Sequence, residues 1–171
     1  EEHDRLQLEI HLLSLEKKAL RLLMNPNFIF NVLNGIKAMA PTKPDKMNDT
    51  VNNFAALLRE TLENSRKETI SLDQEIKTLE HYIEVEQLMA EQPFSYEINT
   101  TTDIDIEEIL IPPMLIQPFV ENAIRHGIIK GPRVGKLSID FKTTETELQI
   151  MITDNGIGIF HSQNQKNYLC R

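Results

Sequence analysis

"IPPMLIQPFVENAIRHGI", residues 111–128, opens on two prolines and closes beside a glycine, with an apolar pattern between them. Pro112 suits a first helical turn and Gly127 a helix stop, so the stretch predicts one helix. Ile116, Phe119, Val120 and Ala123 form an apolar side, whereas Asn122 and His126, four apart, share a more polar one. Glu121 and Arg125, also four apart, suit an ordinary surface ion pair. The same carboxylate, amide and basic groups suit a hydrated magnesium ion with phosphates, because Mg²⁺ prefers oxygen ligands and keeps several waters. From the residues alone both readings stand.

What surrounds the helix sets the fold class. "FSYEINTT" (94–101) reads as a strand, and "KLSIDFK" (136–142) and "ELQIMITD" (147–154) alternate with period two across the polar link "TTET". Strand, helix, strand, strand makes this part α+β, with a helix packed on a mainly antiparallel sheet. Leu148, Ile150 and Ile152 share one strand face, and Asp154 falls on it by the same period. "DNGIGI" (154–159) follows. An acid closing an apolar face suits a pocket that must accept a hydrogen bond, and Gly156 and Gly158 would let backbone pass close to a ligand. Asn-Gly is also a common hairpin signal, and a short Gly-x-Gly match is weak on its own.

Residues 1–91 contain one glycine and read as helices. Met47, Val51, Phe54, Leu58 and Leu62 step along one predicted helical face. A following helix is predicted from Ser71 as N-cap with Gln74 completing a capping box, its face running Leu72, Ile76, Leu79, Ile83. The opening leucines, Leu6, Leu8, Leu12, Leu13, Leu15, Leu20, Leu22 and Leu23 with Ile10, occupy more than one side. A second chain is therefore expected to cover part of that helix, against the alternative of a monomeric bundle. "LRLLMNPNFIFNVLN" (20–34) breaks at Pro26, which costs roughly 3 kcal/mol in a helix interior. Asn25 as N-cap and Pro26 at the first helical position is the simplest restart, leaving Asn27 in the first turn. "AEQP" (90–93) is the expected boundary, with a helical region 1–91 and an α+β region 92–171.

Composition narrows the function classes. The chain has 171 residues, 40% hydrophobic content and a formal net charge of -8, with a pI near 5.1. Such acidity argues against nucleic-acid binding, which needs clustered Lys and Arg. No apolar run is long enough for a transmembrane span, and no signal peptide is evident. The lone Cys170 excludes an internal disulfide framework and fits a reducing compartment.

"NPNFIFNVLN", "IPPMLIQPFVENAIRHGI" and "DNGIGI", in that order, resemble the LytS/YehU-type sensor histidine kinases, bacterial two-component enzymes with a GHKL-type ATP-binding domain. The resemblance runs from about residue 15 to residue 159 and takes in "EIKTLEHYIEVEQL" and "FSYEI". It implies a helical dimerisation and phosphoacceptor region followed by a partial GHKL (Bergerat-type) α/β sandwich. ATP and Mg²⁺ are the implied cofactors, with Asn122 as magnesium ligand and Glu121 as its acidic neighbour, positioning water or acting as a base. Asp154 would accept from the adenine amino group, Gly156 and Gly158 would form the loop beside the nucleotide, and Arg125 and His126 would face the phosphates. A response regulator, a homodimer through the N-terminal helices, a cytoplasmic location and an inner-membrane anchor in the parent protein are implied as well.

Departures from the family pattern qualify these implications. The family pattern has histidine as phosphoacceptor where this chain has Asn27, and an amide nitrogen, its lone pair delocalised into the carbonyl, is no nucleophile for phosphorus. His3, His11, His81, His126 and His161 all lie outside that motif. After "DNGIGIF" the family continues into an ATP lid, whereas here "HSQNQKNYLCR" follows, so a domain lacking lid and C-terminal elements is expected. Relatives also tend to carry arginine near the position of Met89. Two classes result: a kinase core unable to autophosphorylate in this chain, or a catalytically inactive dimeric module that transmits conformation.

Overall fold

Ser71 stops one element and starts another. Its backbone is extended and its hydroxyl accepts from the Gln74 N–H at 3.1 Å, so the capping residue read from the sequence does cap a helix. That helix, α4 (Leu72–Met89), is the centre of the computed structural model, which describes residues 2–23, 26–131, 134–144 and 146–157. Before it come α1 (Glu2–Leu23), α2 (Pro26–Met39), α3 (Pro44–Ser65) and the short strand β1 (Ile70–Ser71). After it come β2 (Phe94–Thr101), β3 (Leu110–Ile111), α5 (Gln117–Asn122), β4 (Gly135–Thr143) and β5 (Leu148–Asp154). Helices and sheet together make the chain α+β, as the sequence predicts.

Leu72, Ile76, Leu79 and Ile83 are all buried on α4, and Tyr82, Val85, Glu75 and Glu86 are buried with them. A helix buried on so many sides has neighbours on each of them. α2 and α3 pack on it, and the segment before α5 wraps its first turn, with Leu72 N–H donating to Ile109 O at 2.7 Å. The buried apolar side chains form one cluster from Phe28 on α2 to Ile152 on β5, so α4 is common to both parts of the chain. The expected boundary at 90–93 does join α4, ending at Met89, to β2, beginning at Phe94.

Three expectations are corrected. The predicted helix over Met47–Leu62 forms as α3, but its buried face is Thr50, Phe54, Leu57, Thr61, Asn64 and Ser65, while Val51, Leu58 and Leu62 are exposed. Polar residues occupy the buried face because each has a partner: Thr50 and Thr61 donate to carbonyls one turn back at 2.7 Å, and Asn64 donates to Thr78 at 3.2 Å. The sheet, of order β2-β4-β5, is mixed rather than mainly antiparallel, because β2 and β4 run parallel with Ile98 opposite Ile139. The crossover through α5 carries the chain back to the starting end of its neighbour, and parallel pairing needs such a crossover. β4 and β5 form the expected antiparallel pair, with Ile139 opposite Ile152.

The third correction concerns residues 111–128. Pro112 does not start the helix; α5 begins at Gln117, with Pro118 in its first turn. The backbone before it turns through Met114 at a φ of 60°, a conformation uncommon for a residue with a side chain. Met114 and Ile116 donate their N–H groups to the buried Glu75 carboxylate at 3.2 and 3.4 Å, where a helix starting at Pro112 would point them elsewhere. Gly127 does not stop the helix either. From Ala123 to Ile128 the coil widens into a π-helical turn, continued by an Ile129 N–H to Ile124 O bond of 2.9 Å.

Candidate functional site

The π-helical turn lies against β4 and β5, and Gly127 is the point of contact. A Cβ there would overlap the Asp154 carboxylate, and a Cβ on Gly156 would overlap the Gly127 backbone. Glycine thus leaves room at Gly127 for the Asp154 side chain and at Gly156 for the Gly127 backbone. At Gly156 it is the chain's own backbone that comes close. Asp154 accepts from the Gly156 N–H at 2.9 Å, which folds the Asp-Asn-Gly segment into a tight bend after β5. It is no hairpin turn: Asn155 is tied to the start of β4, accepting from Lys136 N–H at 2.7 Å and donating to Val134 O at 3.0 Å.

Gly127, on the helix that carries Asn122 and His126, is therefore brought against Asp154 and Gly156 at one end of the sheet. Asn122 and His126 are exposed, whereas Asp154 is half-buried. Gly158 and the Asn25 cap lie outside the described residues, as do the side chains of Leu15, Leu20, Leu22 and Leu23. Among the described residues no three His, Cys, Asp or Glu side chains gather as a metal cage. An exposed amide oxygen beside a histidine is instead a donor set for an ion that keeps its waters and is held partly by phosphates. The Asp154 carboxylate has acceptor capacity beyond its bond to Gly156, as recognition of an amino group requires. The residues present fit magnesium and a nucleotide.

Glu121 and Arg125 lie toward α4 and α2. The Arg125 guanidinium lies 3.6 Å from Glu86 and 3.7 Å from Glu121, and it covers the Phe28 ring at 5.6 Å from the centroid. Phe28 in turn packs on Tyr82, ring centres 5.0 Å apart, and edge-on to Phe54 at 6.1 Å. Tyr82 donates its O–H to Glu86 at 3.1 Å. Burial pushes the Glu86 carboxyl above its usual range, with the Arg125 charge as the main opposing influence. Burial likewise raises Glu75, opposed by the Met114 and Ile116 N–H groups, and drives Tyr82 well above its ordinary value. The surface-pair reading of Glu121 and Arg125 holds geometrically, but it omits the buried third member, Glu86.

Asn27 is exposed in the first turn of α2, which starts at Pro26. Asn31 and Gly35 follow at four-residue steps on the same face. They line a cavity of about 440 Å³ together with Glu86, Met89, Arg125 and Ile129, between α2 and the strand-bearing part of the chain. Glu75, Glu86, Tyr82 and Asn155 are the structural residues that pattern reading missed. Only Glu75 and Glu86 carried a signal, as carboxylates within an otherwise buried helical pattern.

The histidine-kinase family profile matches residues 15–94. The chain is 32% identical over 145 residues to the sensor histidine kinase/phosphatase LytS of Staphylococcus aureus, in strain Mu50 / ATCC 700699 and equally in strains N315 and MW2. Each alignment covers 84% of this chain and 24% of the relative, so the chain spans about a quarter of the length of the curated relatives it matches. Together these similarities support a LytS-type histidine kinase.

Proposed function

We propose, with the LytS-type relationship as premise, that this chain is the cytoplasmic core of a two-component histidine kinase and binds Mg-ATP at the end of its mixed sheet. The observation that supports the reading is the close packing of Gly127, on the helix that bears Asn122 and His126, against Asp154 and Gly156. Asn122 would hold magnesium through its amide oxygen, His126 would present its ring to the phosphates, and Asp154 would accept from the adenine amino group. A bound nucleotide supplies the transferable phosphoryl group, and the protein's part is positioning and charge stabilisation. Glu121, the acidic neighbour of Asn122, pairs with Arg125 at 3.7 Å and would position water or act as a base.

In the same reading Asn27 occupies the acceptor position and blocks it, since its amide has no free lone pair on nitrogen. The partners would be a response regulator and a second copy of this chain. Exposed apolar residues on three helices support the second copy: Leu6, Leu8, Ile10, Leu12 and Leu13 on α1, Phe30 and Leu33 on α2, and Val51, Leu58 and Leu62 on α3. The inner-membrane attachment implied for the parent protein is not carried by any described helix, since none is long and apolar enough to cross a membrane.

Titration with ATP in the presence and absence of Mg²⁺, followed by melting temperature, tests the reading, because a ligand that binds only the folded state raises its stability. A magnesium-dependent rise is expected, together with no acid-labile label from radioactive ATP on the Asn27 chain. No rise at millimolar nucleotide would favour the alternative of a non-catalytic dimeric module, and robust labelling would overturn the blocked acceptor.

A further inference from the structure

We propose that Glu75, on α4, is a positioning residue for the nucleotide site: its carboxylate holds the backbone turn over residues 114–116 and so fixes where the helix bearing Asn122 and His126 begins. The proposal rests on the nucleotide reading above and adds to it a residue from another helix.

Three observations carry it. First, Pro112 and Pro113 have no N–H to give, and the turn that follows them directs two of its own to one side chain. Met114 N–H donates to Glu75 Oε2 at 3.2 Å and Ile116 N–H to Oε1 at 3.4 Å. Backbone N–H groups that turn toward a common point form a nest suited to an anion, and here the anion is the protein's own carboxylate. Second, Met114 has a φ of 60°, in the left-handed region that a residue with a Cβ enters at a cost. Such a conformation persists where its surroundings hold it, and Glu75 receives the N–H groups of this turn. Third, the anchor is itself fixed. Glu75 is buried on α4, and burial raises its carboxyl while the Met114 and Ile116 N–H groups oppose the rise.

The same segment is tied to the start of α4 further upstream. Asp73 N–H donates to Ile106 O at 3.2 Å, Leu72 N–H to Ile109 O at 2.7 Å, and Ile70 lies opposite Ile111. Glu75 carries this line of contacts to the threshold of α5, whose six residues end at Asn122. That is about 9 Å of helical rise, so a shift or rotation of the start is passed on to Asn122 almost whole.

Calorimetry of Mg-ATP binding, with amide exchange in the absence of nucleotide, tests the assignment. Glu75→Gln keeps the side chain's shape but sets an amide NH2 against one of the two N–H groups. It is expected to weaken Mg-ATP by about tenfold through misplacement of the helix. Met114→Gly in the Glu75→Gln background supplies a residue that takes positive φ freely, and should bring affinity back to within about threefold of wild type. Exchange over residues 117–123 should quicken by about tenfold in Glu75→Gln, with residues 54–61 of α3 within about threefold. Binding of Mg-ATP by Glu75→Gln within about threefold of wild type would overturn the proposal, as would a double variant no better than the single one. An equal quickening in α3 would reduce Glu75 to general stability and overturn it too. In the wild-type chain the Met114 and Ile116 amides should exchange slowly, and rates there like those of an unstructured peptide would refute the anchor even where no variant folds. A wild-type chain that binds no Mg-ATP overturns the nucleotide reading instead, and the exchange measurements then judge the hold of Glu75 on the helix alone.

Discussion

The two faces of the helix over residues 117–128 differ in what they touch. One face, with Asn122 and His126, is exposed; the other, with Glu121 and Arg125, is packed against Phe28, Tyr82 and Glu86. A six-residue run of polar character therefore contains two chemistries. Exposed groups near a backbone bend are available to a ligand, whereas groups paired with buried carboxylates hold elements together. Four-residue spacing pairs Asn122 with His126 and Glu121 with Arg125, but it does not say which pair points outward. That depends on which side the sheet and α4 occupy.

Gly127 lies where both faces depend on it, so its loss should have the largest effect. Gly127→Val would drive a branched side chain into the Asp154 carboxylate, and overpacking of this kind costs roughly 3 kcal/mol. A strongly lowered melting temperature with loss of nucleotide binding is expected, and a variant as stable as wild type would contradict the close contact. Tyr82→Phe breaks the packed face alone. It removes the O–H that donates to Glu86, with an expected loss of about 1 kcal/mol in denaturant unfolding and no change in Mg-ATP affinity.

The smallest effect is in pH dependence. Glu75 and Glu86 have carboxyls raised above 4.5 by burial, so each binds its proton more tightly in the folded chain than in the unfolded one. The stability they contribute is complete below 4.5 and is lost as pH rises through their folded values. Glu86→Gln cannot titrate and should flatten part of that decline when melting temperature is followed from about pH 4 to about pH 8. An unaltered slope would mean that Glu86 does not titrate in that window.

How much of this could be read from the sequence depends on the range of each interaction. The Ser71 cap, the buried Leu72-Ile76-Leu79-Ile83 stripe and the β4–β5 hairpin are local patterns, and the structure carries all three. The rotation of α3 was not legible, because Thr50, Thr61 and Asn64 count as polar until their hydrogen-bond partners are known. Glu86 is distant in sequence from Arg125, and Gly127 from Asp154, so no periodicity links either pair. The start at Gln117 was hidden for the same reason: the N–H groups of Met114 and Ile116 are claimed by Glu75 from another helix. The candidate nucleotide residues came from a motif resemblance.

Parallel calorimetry of Mg-ATP binding to Asn122→Ala and Tyr82→Phe tests most directly whether the two faces have separate tasks. Asn122→Ala should weaken binding by about tenfold or more, with Tyr82→Phe within about threefold of wild type. Loss of affinity in Tyr82→Phe with Asn122→Ala unaffected would contradict the division.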